Sequence, residues 1–358
     1  MIKRLLVLCS ILLFTVAVFT GCGNKSTKPE ADKNAQVQGK VIELKVADYM
    51  PATHFVVVNG MQPWMKRVEE LTNGQVKFKF YPGEQLAKAT DLLDVVRTGG
   101  ADVANTCLNY FAGKMPLLNV GSLPAIYSTS AGGSLAATKI AKENPILEKD
   151  FLKNNVRPLL VYLPPPYEIY TAKKQIKTID DAKGLKIRTS GGIQEQSLRA
   201  VGAVPVNVAA PENYEAMQRG VLDGTLFTPS SIKSYKLDEI SKYSTWGTLM
   251  PSAVLMFIVN EDTWKKLPDN VKKAMEQASD EIVKSLSKKY DEDNMNLRKE
   301  FEKKGIVFSD VNSAEWENAL KDINKKWAED VDKQGLPGSE VLQKYKKAVE
   351  EVEKSIKK

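Results

Sequence analysis

The stretch Gly184-Leu185-Lys186-Ile187-Arg188-Thr189-Ser190-Gly191-Gly192 decides the fold. An amphipathic run from Ile193 to Val201 continues it, followed by Gly202-Ala203-Val204-Pro205-Val206-Asn207-Val208. It reads as strand, glycine turn, helix, glycine stop and strand, the alternation of an α/β sheet. Pro205 favours an edge or strand-start position. Arg188 falls at the carboxyl end of the first strand, beside the N–H groups of a helix N-terminus, and both features favour a bound anion. A guanidinium is the usual bidentate partner of a carboxylate.

Downstream, Pro211 opens a helix to Arg219, Gly220 ends it, and Thr225 to Thr228 forms a strand. This βαβαβ order repeats an earlier one. Ile42 to Ala47 alternates as a strand, and a helix runs from Val57 to Leu71. Val76 to Phe80 is a strand, a helix spans Lys88 to Arg97, and a strand starts at Asp102. Two such units predict two α/β lobes with a cleft between them, at the carboxyl ends of their strands. The run from Tyr162 to Tyr167 encloses three prolines, which hold it extended, as for a chain crossing from one lobe to the other. The remainder is helical: one long helix from Val271 to Lys304, one capped by Ser313, and a last one from Ser339.

The N-terminus gives an address. Lys3 and Arg4 precede an apolar run from Leu5 to Thr20 that suits a signal peptide, residues 1–21. Gly21-Cys22 resembles a bacterial lipobox, with Cys22 lipidated as the first mature residue. Residues 22–40 are polar and read as a flexible tether. These features place the protein outside the cytoplasm, anchored to the cell membrane by lipid. Cys9 leaves with the signal, so Cys107 remains alone, without a disulfide partner or a thiol metal site. The net charge of +7 falls to +5 without Lys3 and Arg4. The excess lies in mixed-sign C-terminal helices, a solvated surface and not a nucleic-acid groove.

No chemistry is written into the chain. A single histidine, His54, excludes a zinc site of two imidazoles. Neither a Gly-x-Ser-x-Gly elbow nor a phosphate loop occurs. Asp180-Asp181 lies in a charged turn. The expectation is a non-enzyme, needing no cofactor and no metal. Binding is a different matter. His54 follows the first strand, where clefts form, and Asn105 lies in the third strand. Tyr49, Tyr110, Tyr167, Tyr170, Phe227 and Trp246 fall near strand ends or crossovers, and a subset of them faces the cleft.

The residues from Asp181 to Arg188, from Val201 to Val206 and from Tyr214 to Gly224 resemble one family. It is the solute-binding proteins of tripartite ATP-independent periplasmic (TRAP) transporters, of the C4-dicarboxylate-binding type. The first half agrees through Tyr81-Pro82-Gly83-Glu84-Gln85-Leu86, Gly99-Gly100-Ala101-Asp102-Val103 and Leu123-Pro124. The likeness covers residues 41–310. It implies a two-lobed periplasmic-binding-protein-like fold with crossover strands and a long bridging helix. Lobe I takes residues 41–163 with about 252–290, and lobe II takes 164–251 with about 291–358 and the bracing C-terminal helices. It also implies a monomer that captures a small organic carboxylate and hands it to TRAP-type membrane permease subunits. The alternative is a lipoprotein that presents the carboxylate to a membrane receptor.

Arg188 matches the family's carboxylate-binding arginine, and the turn Ser190-Gly191-Gly192 would add N–H donors. Two departures stand out. Many members carry a second arginine twenty residues earlier, where this chain has Glu168. Many have Asn shortly after the last Asp-Gly, where this chain has Phe227. A single carboxylate on an apolar or aromatic body suits this set better than a dicarboxylate. Glu168 pairs with Arg188, receives a ligand ammonium or helps hold a cation; the sequence leaves the three open.

Overall fold

A computed structural model describes residues 41–356; the expected signal peptide, Cys22 and the tether lie outside them. The chain begins with β1 (Ile42–Asp48), α1 (Gln62–Leu71), β2 (Val76–Tyr81), α2 (Leu92–Arg97) and β3 (Val103–Cys107). It continues through α3 (Ser130–Ala141), β4 (Val156–Tyr162), β5 (Glu168–Thr171) and α4 (Ile179–Ala182). Then come β6 (Lys186–Thr189), α5 (Ile193–Ala200), β7 (Val204–Asn207), α6 (Asn213–Gln218), β8 (Gly224–Phe227), α7 (Pro229–Ser234) and β9 (Tyr243–Trp246). The last part is β10 (Leu255–Asn260), α8 (Glu261–Lys266), α9 (Asp269–Lys303), β11 (Val307–Asp310), α10 (Ser313–Lys333) and α11 (Gly338–Ile356).

The repeat read from the sequence is topological. The parallel strands β2-β1-β3 in one sheet correspond to β7-β6-β8 in the other. Pro205 sits in β7, at the sheet edge, where its missing N–H costs no ladder bond. Each sheet is completed by antiparallel strands from elsewhere in the chain. β10 inserts between β3 and β4. β5 pairs with β8 and β9. Gly224 permits the β5–β8 pairing, because a Cβ there would strike the backbone oxygen of Tyr170.

Three segments pass between the sheets. Leu163 to Glu168 leads from β4 to β5, and Gly247 to Val254 leads from β9 to β10. The third is α9, whose 35 residues span about 52 Å at 1.5 Å each. It packs on α1, α3 and β4 of the first sheet and on α7 of the second, then feeds β11 beside β9. This is the expected α/β architecture with crossing segments and a bridging helix.

Several local readings shift. The helix expected from Val57 opens as a wide turn over Val57–Met61 before α1. The helix expected from Lys88 starts only at Leu92, because Glu84 Oε1 accepts the Ala89 N–H and holds residues 84–89 as a turn. Asn312, not Ser313, caps α10. The last helix also departs from its expected side. α11 lies along α3, with Tyr345 Oη donating to Gly133 O and Lys344 Nζ 2.7 Å from Glu143, while α10 reaches α5. Its apolar stripe of Val341, Leu342, Tyr345, Ala348 and Val349 is covered there, on the first-sheet side.

Candidate ligand-binding site

The site starts from β6. Arg188 is in register with Val206 on one side and Thr225 on the other, and its side chain leaves at the strand's carboxyl end. Only 1% of the residue is exposed. Nε donates to Val208 O at 2.8 Å, and Nη2 donates to Tyr110 Oη at 3.3 Å. The guanidinium lies 4.5 Å from the centroid of the Phe227 ring. Among the described residues no carboxylate pairs with it, and Nη1 makes no hydrogen bond. A buried cation without a counter-ion is costly unless something anionic completes it.

The groups around it are donors. Tyr110 Oη accepts from both Arg188 and the Ala210 N–H, so its own proton is free for the cavity. Burial pushes this phenol up to about 12, against the opposing pull of Arg188, and it stays neutral. His54 is 1% exposed. Its Nδ1 accepts the Val56 N–H at 3.2 Å, which places the proton of a neutral ring on Nε2. Burial drives this imidazole down to about 3, so it remains neutral. The ring lies 5.0 Å from that of Tyr235, which stacks on Phe227 at 5.8 Å and 16°. Tyr49 meets Tyr110 edge-on, and Tyr167 meets Phe227.

Both sheets and all three passages supply wall. Tyr49, His54, Cys107 and Tyr110 come from the first sheet and its loops. Arg188, Ser190, Phe227 and Tyr235 come from the second. Tyr167 and Ala253 come from the crossing segments, and Tyr290 from α9. They enclose about 20 Å³, room for little more than one water. This space is smaller than an organic acid.

Seven residues expected at the site therefore meet at one cavity: Tyr49, His54, Tyr110, Tyr167, Arg188, Ser190 and Phe227. Four do not. Glu168 is spent within its own lobe, where it accepts from the Gly247 N–H, Thr245 Oγ1 and Thr248 Oγ1. It does not pair with Arg188, and burial raises its carboxyl to about 7. Asn105 donates to both oxygens of Asp48 and accepts from Tyr162 Oη, which leaves it no free group. Trp246 lies against Arg298 and Phe308, away from the cavity. Gly191 borders a neighbouring groove with Asn109 and Asn207.

Two of the turn's three backbone donors, those of Ser190 and Gly191, are also spent. Gly191 and Gly192 take φ values of +101° and +63°, which favour glycine. In that turn Gln194 Oε1 accepts the Ser190 N–H and hydroxyl, and Thr189 Oγ1 accepts the Gly191 N–H. Sequence reading missed Tyr235 and Tyr290. Tyr290 continues the apolar stripe of α9, and Tyr235 follows a short helix with no motif to mark it. Cys107, read as a small buried residue, is buried and also faces the cavity.

Comparison with known proteins decides the family. A sequence model described as "Bacterial extracellular solute-binding protein, family 7" matches residues 47–330. The chain belongs to this family. Among the relatives of this solute-binding protein is the C4-dicarboxylate-binding periplasmic protein DctP of Rhodobacter capsulatus. It is 27% identical over 312 residues, 82% of this chain and 86% of the relative. A TRAP periplasmic solute-binding protein from Bordetella bronchiseptica, solved with bound (R)- and (S)-mandelate, is 26% identical. Its TM-score is 0.80 over 87% of this chain and 99% of that one. A marine metagenome TRAP solute-binding protein specific for aromatic acid ligands, solved with 3-hydroxybenzoate, is 25% identical. Its TM-score is 0.81 over 88% and 99%. The TRAP resemblance read from the sequence is borne out, as is the two-lobed binding fold.

Proposed function

We propose that this solute-binding protein captures one small organic carboxylate with an apolar or aromatic body and delivers it to TRAP-type permease subunits. The observation that carries this reading is Arg188, buried in a cleft between two sheets with no acidic partner among the described residues. An arginine so placed suits a carboxylate on its free Nη edge. Tyr110 donates beside it, and Phe227, Tyr167 and Tyr49 supply aromatic walls. The mandelate and 3-hydroxybenzoate complexes of related proteins support an aromatic acid.

Binding and release need no catalysis, and His54 Nε2 hydrogen-bonds no thiol or hydroxyl among the described residues. The protein acts as a monomer. Its lobes divide near the crossing segments and move about them and α9. Cys22 carries the lipid that anchors it outside the cytoplasm. Among the described residues no helix is long and apolar enough to cross a membrane.

A thermal-shift screen of organic, amino and aromatic acids tests this function. Carboxylates that bind raise the melting temperature in proportion to the logarithm of their concentration over Kd. A screen in which only neutral or cationic solutes stabilise the protein contradicts it.

A further inference from the structure

We infer that the ligand carries, besides its carboxylate, a second and uncharged oxygen group that accepts hydrogen bonds from His54 Nε2 and Tyr235 Oη. The inference rests on the carboxylate reading of Arg188 and extends it to two further groups of the same cavity wall.

Two buried polar atoms of the cavity wall have no partner among the described residues: His54 Nε2 and Tyr235 Oη. Buried polar atoms are rarely left unpaired. Their chemistry is defined. His54 accepts at Nδ1 and so donates at Nε2. Tyr235 presents a phenol, and burial holds it protonated. A fixed N–H donor and a phenol that can also donate, on rings 5.0 Å apart, suit an acceptor oxygen.

A run of aromatic contacts links this pair to Arg188. Arg188 lies over Phe227, Phe227 stacks on Tyr235, and Tyr235 meets His54, in steps of 4.5, 5.8 and 5.0 Å. An apolar body along that aromatic wall would hold its carboxylate at one end and an oxygen at the other. A second carboxylate is the wrong group. Arg188 is the single Lys or Arg side chain in the wall, and burial keeps His54 neutral. A hydroxyl, keto or ether oxygen fits.

The pair also spans the cleft. His54 follows β1, whereas Tyr235 ends α7 after β8, and the adjacent Phe55 N–H donates to Ser234 Oγ at 3.1 Å. An oxygen shared by His54 and Tyr235 therefore ties ligand identity to closure.

The test is calorimetry on the purified protein with benzoate, 3-hydroxybenzoate, 4-hydroxybenzoate and benzene-1,3-dicarboxylate. The variants are Tyr235→Phe, His54→Phe, His54→Gln and Arg188→Ala. The wild type should bind one of the hydroxybenzoates at least about tenfold more tightly than benzoate, and the dicarboxylate more weakly than either. Tyr235→Phe and His54→Phe should erase that advantage. His54→Gln, which retains an N–H near the Nε2 position, should restore part of it. Tyr235→Phe should not lower the unliganded melting temperature, since it removes only an unpaired polar atom, whereas His54→Phe also strips the Val56 N–H of its acceptor. Equal affinity for benzoate and both hydroxybenzoates, or an advantage that survives both phenylalanine variants, overturns the inference alone. That holds provided benzoate binding is lost in Arg188→Ala. If none of the four acids binds, the carboxylate reading falls and takes the inference with it.

Discussion

Arg188 stands 4.5 Å over the ring of Phe227, in the wall of the cavity between the two sheets. The pair joins a cation to an apolar wall. The arginine attracts the acid, and the phenylalanine favours whatever apolar body the acid carries.

Replacing Phe227 therefore separates the two roles. Phe227→Ala should weaken an aromatic acid by about tenfold through lost cation–π and stacking contact. Phe227→Asn should weaken the same acid and improve a short polar monocarboxylic acid such as lactate. Competition binding measures both, and a Phe227→Asn protein with wild-type preference would count against this role.

Arg188 should also cost stability. An unpaired buried charge is expensive, and a methionine of similar volume fills the space without charge. Arg188→Met should melt at or above the wild-type temperature without ligand and show no ligand-induced rise. A clear fall in the unliganded melting temperature would make Arg188 a structural residue.

Stability should decline from pH 6.5 to about 8.5. Burial raises Asp48 to about 8 and both Glu168 and Asp150 to about 7, from ordinary values near 4. A carboxyl raised in the folded state binds more protons folded than unfolded. Its contribution is full below its unfolded value and is lost as pH climbs through the folded one. His54, lowered to about 3, acts oppositely, but only below its unfolded value near 6.5. Melting temperatures across this range should fall, and by less in Glu168→Gln. A flat profile would show that these carboxyls are not raised.

The last helix makes a prediction of its own. Tyr345 is fully buried between α11 and α3. Tyr345→Ala should cost about 3–5 kcal/mol by calorimetric unfolding. Ligand affinity should be unchanged, because the residue does not touch the cavity.

Much of this was legible in the chain. The two βαβαβ units show because alternation, helical period and glycine stops are local signals. Arg188 shows because a strand end beside a glycine turn is local too. The rest depends on contacts between distant segments. Glu168 is adjacent to the cavity residue Tyr167, yet its oxygens are claimed by Thr245, Gly247 and Thr248, nearly eighty residues away. Asn105 is claimed by Asp48 and Tyr162 in the same way. Tyr290 looks like any core position of a long amphipathic helix until α9 is laid across both sheets. The side of α11 was hidden because an apolar stripe declares that it needs cover but not which surface provides it.

The most direct measurement is isothermal titration of benzoate and mandelate into the wild-type protein and into Arg188→Ala. The account predicts one-site binding of at least one of these acids by the wild type. It predicts no detectable heat of binding in the variant at the same concentrations. Unchanged affinity in Arg188→Ala would contradict it.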